Sequence, residues 1–212
     1  MSTPDQSSHG AAPVDSDHVD DDQPGVLRVF QSKAETRAFY NKISNVYDLL
    51  AEHSEAPMRR LGIERLAVLP GETVLEIGFG TGHCLVDLAR ATGPTGQVLG
   101  VDLSDEMARI ARENVTAAGV SGQVCVVCGD GERLPWRDGV IDAIFMSFTL
   151  ELFDTPAIPT VLAEGRRVLR PGGRLVVVGL SKDGPSGLAM EALQWTHCTA
   201  PGSLDTHLDY AA

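Results

Sequence analysis

Basic residues are scarce in this chain. Lysine and arginine number 17 against 29 aspartates and glutamates, a formal net charge of −12 over 212 residues. A nucleic-acid partner needs clustered cations to neutralise phosphates, so the balance argues against one. A small anionic substrate stays open, because one local arginine can serve it. Long apolar runs are missing too. No stretch approaches the roughly 20 apolar residues of a membrane-crossing helix. The first residues are polar and acidic, without the basic start and apolar stretch of a secretory leader. A cytoplasmic protein with no membrane span is the expectation. Cysteine is sparse: Cys84, Cys125, Cys128 and Cys198. So few thiols in an intracellular chain make no disulfide framework. Cys125 and Cys128 form a C-x-x-C, but inside VCVVCGD, which reads as a strand. Residues three apart on a strand face opposite ways, and no second C-x-x-C completes a zinc site. Buried small hydrophobes are expected there, with no metal.

What is present is a glycine turn at the junction of two apolar patterns. Residues 73–85 read TVLEIGFGTGHCL: a short apolar run carrying Glu76, glycines at 78, 80 and 82, then a helix-like stretch. Glycine permits positive φ and removes the Cβ that would hold a ligand off the backbone. The helix start adds free N–H groups and a positive dipole end. This suits a nucleotide-like cofactor, and at this point which one is open, as is a plain structural turn. The dinucleotide fingerprint G-x-G-x-x-G is not met, because His83 stands where its third glycine would fall.

Around the turn the chain divides into four parts. Residues 1–25 are rich in Asp, Ser and Pro, too poor in apolar groups to offset ordering entropy, and are expected as a disordered acidic tail. Residues 26–70 are expected as a helical lid of two helices, 33–50 and 56–68, from apolar steps of three and four. Residues 71–180 alternate strands (73–77, 97–102, 123–127, 141–146, 174–180) with helices (82–91, 105–118, 157–170). This pattern gives an α/β fold, a doubly wound, mostly parallel sheet. Ser104 is the expected N-cap of the middle helix. Residues 181–212 hold GLAMEALQW, read as a helix, and then no convincing strand.

In such a sheet a ligand sits at the carboxyl ends of the strands, near the reversal of strand order. Strand two ends in Asp102, suited to hold ribose hydroxyls, although a solvated strand-end acid reads the same way. Strand three ends in Gly129, Asp130 and Gly131, where an acid beside glycines can meet an adenine amino group. Strand four leads into Ser147, Phe148, Thr149 and Glu151.

In this order and spacing, VLEIGFGTG, VLGVDLS, GDGERLPW, IDAIFMSFTLELF and RVLRPGGRL resemble the Rossmann-like methyltransferases that use S-adenosylmethionine, nearest the branch that includes the ubiquinone/menaquinone biosynthesis C-methyltransferases. The likeness covers residues 39–180. It implies S-adenosyl-L-methionine as cofactor and methyl transfer to a small-molecule acceptor. The alternative is a non-catalytic or regulatory binder on the same fold. By the resemblance Gly78, Gly80 and Thr81 line the methionine part, Glu76 helps its amino group, Asp102 holds the ribose, Asp130 and Gly131 meet the adenine, and Ser147 continues the contacts towards the acceptor. Tyr40 and Tyr47 read equally as a lid over the cleft and as helix packing.

Two departures matter. The quinone enzymes read F-G-x-R-N after strand four; here Glu151 takes the arginine's place, which puts a quinone precursor in doubt. Glu151 is then a candidate base or a group that attracts a cationic acceptor, against a plain solvated acid, and His83 is a second candidate base, against a place on the helix surface. The catalytic residue is otherwise unknown. The family's sheet also closes with two more strands, one antiparallel, and here both are expected to be missing. Strand five would then be a free apolar edge, open to a homodimer.

Overall fold

The computed structural model describes residues 32–181 and 189–195. The expected acidic tail, 1–25, lies outside the described residues. Six strands form one sheet in the order β3-β2-β1-β4-β5-β6. They are β1 (Thr73–Ile77), β2 (Gln97–Asp102), β3 (Val124–Cys128), β4 (Ile141–Ser147), β5 (Leu169–Ser181) and β6 (Ala189–Trp195). The first five run parallel. Helices α2 (His83–Thr92), α3 (Asp105–Ala117) and α4 (Ile158–Val168) make the crossovers, and a long α1 (Lys33–Leu66) precedes them.

Side-chain alternation explains why the sheet is covered on both faces. In β1 Val74 joins one apolar cluster and Leu75 and Ile77 the other; in β4 Ala143 and Phe145 oppose Ile144 and Met146. β5 continues the pattern with Val176 and Val178 against Leu175 and Val177. Each large side chain so buried contributes roughly 1.5–3 kcal/mol. Glu76, two residues after Val74, falls on the Val74 face by the same period. It is an acid 2% exposed among hydrophobes.

Three expectations are corrected. The two predicted N-terminal helices are one. α1 runs 34 residues through Pro57, opened by a Ser32–Glu35 capping box. Its C-terminal half is held on the sheet: a Cβ on Gly62 would lie 2.4 Å from Val178 and 2.9 Å from Phe145, so only glycine allows this approach. Secondly, Cys125 and Cys128 are exposed rather than buried. They lie on β3, an edge strand, where an outer flank goes uncovered. Cys84 alone of the described cysteines is buried.

The third correction concerns the end of the sheet. The AMEALQW stretch is strand β6, not helix, and pairs antiparallel with β5 from Leu175↔Trp195 to Ser181↔Ala189. β5 is therefore paired on both sides, and one of the two strands expected to be missing is present. Backbone pairing along a whole strand outweighs the helix preference of Ala, Met, Glu, Leu and Gln. The free edge offered to a homodimer is thereby filled. Ending the chain after Ser181 is expected to expose it again, with soluble oligomers in light scattering and a melting temperature lower by several degrees. An unchanged, monomeric product would contradict this role for β6.

Candidate active site

Strand order reverses between β1 and β4, and the carboxyl ends of these strands open into a cavity of about 360 Å³. The loop after β1 forms its floor. Gly78, Gly80 and Gly82 all have positive φ, at 74°, 53° and 85°. A Cβ on Gly80 would meet nothing within 4 Å, so this backbone faces open space. Gly78 is closed on its other side by Thr149, whose hydroxyl donates to the carbonyl oxygens of Gly78 at 3.3 Å and Ser147 at 2.9 Å.

Asp102, at the end of β2, is the hinge of the floor. Its Oδ2 accepts from the Gly80 N–H and its Oδ1 from the Ser104 N–H, both at 2.9 Å. Burial pushes its pKa up to about 6, against the backbone N–H groups of Ser104, Gly80 and Leu103 that favour the ionised form. Ser104 caps α3 as expected, accepting from the Met107 N–H. Glu76 is held well above the usual carboxylate range, first by burial and then by the charge of Asp102. Two buried polar atoms of cavity-lining residues, Glu76 Oε2 and Ser147 Oγ, have no hydrogen-bond partner among the described residues. A ligand with polar groups at these points would satisfy both.

The loop after β3 is pinned from below. Arg167 of α4 donates to the carbonyl oxygens of Leu134 at 3.0 Å and Trp136 at 2.8 Å, and Glu164 accepts from the Leu134 N–H at 2.9 Å. This fixes Asp130 and Gly131 at the rim. A Cβ on Gly131 would lie 2.9 Å from Phe153 and 3.2 Å from Ile77, too close for any other residue to sit unmoved. Beyond β4 the chain turns sharply at Phe148, a non-glycine residue at φ 50° whose N–H donates to Val178 at 2.7 Å. Such a conformation costs about 1–3 kcal/mol, and here it swings Thr149 back over Gly78.

The structure brings Glu76, Gly78, Gly80 and Thr81 into one cavity with Asp102, Asp130, Gly131 and Ser147. Glu151 is not among the lining residues; it sits in the 3-10 turn Leu150–Leu152, its carboxylate against Gly179 of β5. His83 and Tyr40 do line the cavity, whereas the Tyr47 side chain lies outside the described residues.

Sequence reasoning missed Lys33, Glu55 and Arg59, which α1 carries over the same cavity. Lys33 Nζ bridges Asp130 at 2.5 Å and Glu132 at 2.8 Å. Arg37 and Asn41 both donate to Asp105, at 3.0 and 2.9 Å, tying the helix to the start of α3. Glu55 accepts from Arg59 at 3.2 Å, and burial, with Glu151 adding to it, raises the Glu55 pKa despite that arginine. These are contacts between distant parts of the chain; the one local signal was the charged, four-residue spacing of Glu55 and Arg59 on a helix.

A family profile described as a methyltransferase domain matches residues 74–173. The ubiquinone/menaquinone biosynthesis C-methyltransferase of Ectopseudomonas mendocina is 36% identical over 154 residues, covering 71% of this chain and 59% of that protein. Residues 74–173 are a methyltransferase domain. A crystal structure of an S-adenosylmethionine-dependent methyltransferase from Aquifex aeolicus has a TM-score of 0.58 at 29% identity, over 70% of this chain and 76% of that one. The cyclase SpnF, with a TM-score of 0.65 at 22% identity over 73% of this chain and 62% of that one, shares the fold. The chain thus spans less than two thirds of the length of the curated relative it matches. Among the described residues no helix is long and apolar enough to cross a membrane.

Proposed function

We propose that this methyltransferase domain binds S-adenosyl-L-methionine and transfers its methyl group to a small-molecule acceptor. The observation that carries the reading is the meeting of Asp102, the open glycine floor and two unsatisfied buried polar atoms, Glu76 Oε2 and Ser147 Oγ, in one cavity. That donor and acceptor set fits the cofactor. Glu76 and the glycine floor would hold the methionine end, Asp102 the ribose hydroxyls and Asp130 with Gly131 the adenine; Ser147 faces the acceptor.

When bound, the cofactor supplies a methyl group already activated on a sulfonium, so the protein's task is alignment and exclusion of water. The rigid floor, braced by Thr149 and Asp102, sets the position. α1 is the lid: Lys33, Tyr40 and Arg59 close the side away from the sheet. Ionised Asp102 accepts hydrogen bonds and moves no proton. The acceptor is a small molecule rather than a nucleic acid, in keeping with the net charge of −12, and the working compartment is the cytoplasm.

Calorimetric titration of the pure protein with S-adenosylhomocysteine is the first test, followed by incubation of metabolite extracts with a methyl-labelled cofactor and mass spectrometry of the product. A micromolar complex and one labelled small molecule are expected. Absence of binding would sink the reading. Binding with no labelled product from any extract would leave a cofactor-binding protein without transferase activity.

A further inference from the structure

Lys33, Arg37 and Asn41 stand at four-residue steps, on one face of α1. Each ties the helix to the body of the domain. Lys33 bridges Asp130 and Glu132 after β3. Arg37 pairs with Asp105 at 3.0 Å, both side chains about half-exposed, and such a pair contributes little by itself. Asn41 reaches further in. Its Oδ1 accepts from the Ser104 hydroxyl at 2.5 Å and from the Glu106 N–H at 3.4 Å, and its Nδ2 donates to Asp105 at 2.9 Å. An amide meets these partners in one orientation only, oxygen towards the two donors and nitrogen towards the carboxylate. Ser104 is 1% exposed and stands between the lid and the cavity acid. Its N–H donates to Asp102 Oδ1 at 2.9 Å, its Oγ accepts from the Met107 N–H at 3.0 Å, and its hydroxyl proton goes to Asn41. Asn41 and Asp102 are therefore joined through one buried serine.

Lys33 holds the cavity rim and Arg37 the surface of α3, whereas Asn41 holds the serine that holds Asp102. We propose that Asn41 is a positioning residue for the cofactor's ribose. By seating Ser104 it fixes the Asp102 carboxylate in the orientation that accepts the ribose hydroxyls, and it does so only while α1 lies on α3. The inference rests on the cofactor reading above. Withdrawing α1 removes Asn41, frees the Ser104 hydroxyl to turn, and loosens a contact that sets Oδ1, while Oδ2 keeps the Gly80 N–H. The grip on the ribose is then strong with the lid down and weak with it raised. Asn41 acts through Ser104 and needs no contact with the ligand. Aspartate at this position would keep an acceptor for Ser104 but set a second carboxylate against Asp105.

Calorimetry of the full chain with S-adenosylhomocysteine and its 2′-deoxy and 3′-deoxy analogues reads the grip on each ribose hydroxyl as a ratio of affinities. The adenine and amino-acid contacts cancel in that ratio. Wild-type protein is expected to prefer S-adenosylhomocysteine to each analogue by about 10–100-fold, as for a hydrogen bond to a charged group. Asn41→Ala is expected to shrink at least one of the two ratios about 3–10-fold, as for the loss of a neutral hydrogen bond. Asn41→Asp should shrink it at least as far. Arg37→Gln, which cuts a tether of the same helix to the same Asp105, should leave both ratios within about twofold of wild type. An Asn41→Ala variant that keeps both ratios overturns the proposal, even where it binds all three ligands more weakly, because its role is then structural. So does an Arg37→Gln variant that loses them equally, since any tether of α1 would then serve. If Asn41→Ala does not fold, Ser104→Gly carries the same comparison: it deletes the hydroxyl, keeps the N–H to Asp102, and costs the α3 cap only a few tenths of a kcal/mol. A wild type indifferent to both hydroxyls also overturns the proposal. Failure of the wild type to bind any of the three defeats the cofactor reading itself, which is a different outcome.

Discussion

Asp102→Ala is expected to weaken S-adenosylhomocysteine binding by at least 100-fold. In the protein as it stands, the Gly80 N–H donates to Oδ2 and the Ser104 N–H to Oδ1, and the Leu103 N–H also favours the ionised carboxylate. Asp102 also lines the cavity. Two hydrogen bonds from a ribose to a buried carboxylate, at about 1.5–3 kcal/mol each, give a factor of roughly 10²–10⁴. Alanine also frees the Gly80 amide, so the floor loses its anchor in the same step. The pH dependence gives an independent reading. Burial holds Asp102 at about 6, above the 3.8 of the unfolded chain. Between these values the folded protein carries a proton that the unfolded chain has lost. Its ligand-free stability therefore falls as pH rises through that window, by at most about 3 kcal/mol. Ligand binding has the opposite sign, because the ionised form is the acceptor, and affinity falls up to tenfold per pH unit below about 6. Asp102→Asn should flatten its share of both slopes in melting curves and titrations between pH 4 and 8. Slopes identical to wild type would show that Asp102 is not the group concerned.

The parts legible in the sequence are those whose cause is local. The β1–turn–α2 unit, Asp102 and the Ser104 cap each rest on a few adjacent residues, and the structure has them where the pattern puts them. What was not legible depends on distant partners. AMEALQW is a sequence of helix formers made into a strand by seven pairings with β5. A break was expected between residues 50 and 56, yet α1 runs on without one and through Pro57, with Gly62 and Leu66 anchoring its later turns on the sheet. Lys33 reaches Asp130 across 97 residues of sequence. The lid half of the candidate site is of this second kind. Glu151, singled out by comparison with a motif, does not line the cavity, whereas Glu55, on a helix nearly a hundred residues earlier, does.

Gly78→Ala is expected to destabilise the protein by about 2–5 kcal/mol and to abolish cofactor binding, and the cause can be isolated. Gly78 sits at φ 74°, where an L-residue costs about 1–2 kcal/mol. Its missing Cβ would also lie 2.2 Å from Thr149 Cγ2, 2.3 Å from Oγ1 and 2.8 Å from Cβ. Thr149 cannot withdraw easily. It is 7% exposed, its hydroxyl donates to Gly78 and Ser147, and the left-handed turn at Phe148 directs it there. The two residues form one joint, and their substitutions must couple. In Gly78→Ala with Thr149→Gly all three clashing atoms are gone and only the backbone strain is left. Urea unfolding should therefore find this double variant more stable than Gly78→Ala alone, although Thr149→Gly by itself destabilises. Thr149→Ala, which keeps the Cβ at 2.8 Å, should rescue less. If the two effects simply add, the clash is not the cause, and the positive φ alone explains the glycine. Cofactor binding should return in neither double variant to the wild-type level, because the brace that sets the floor has been removed along with the obstacle.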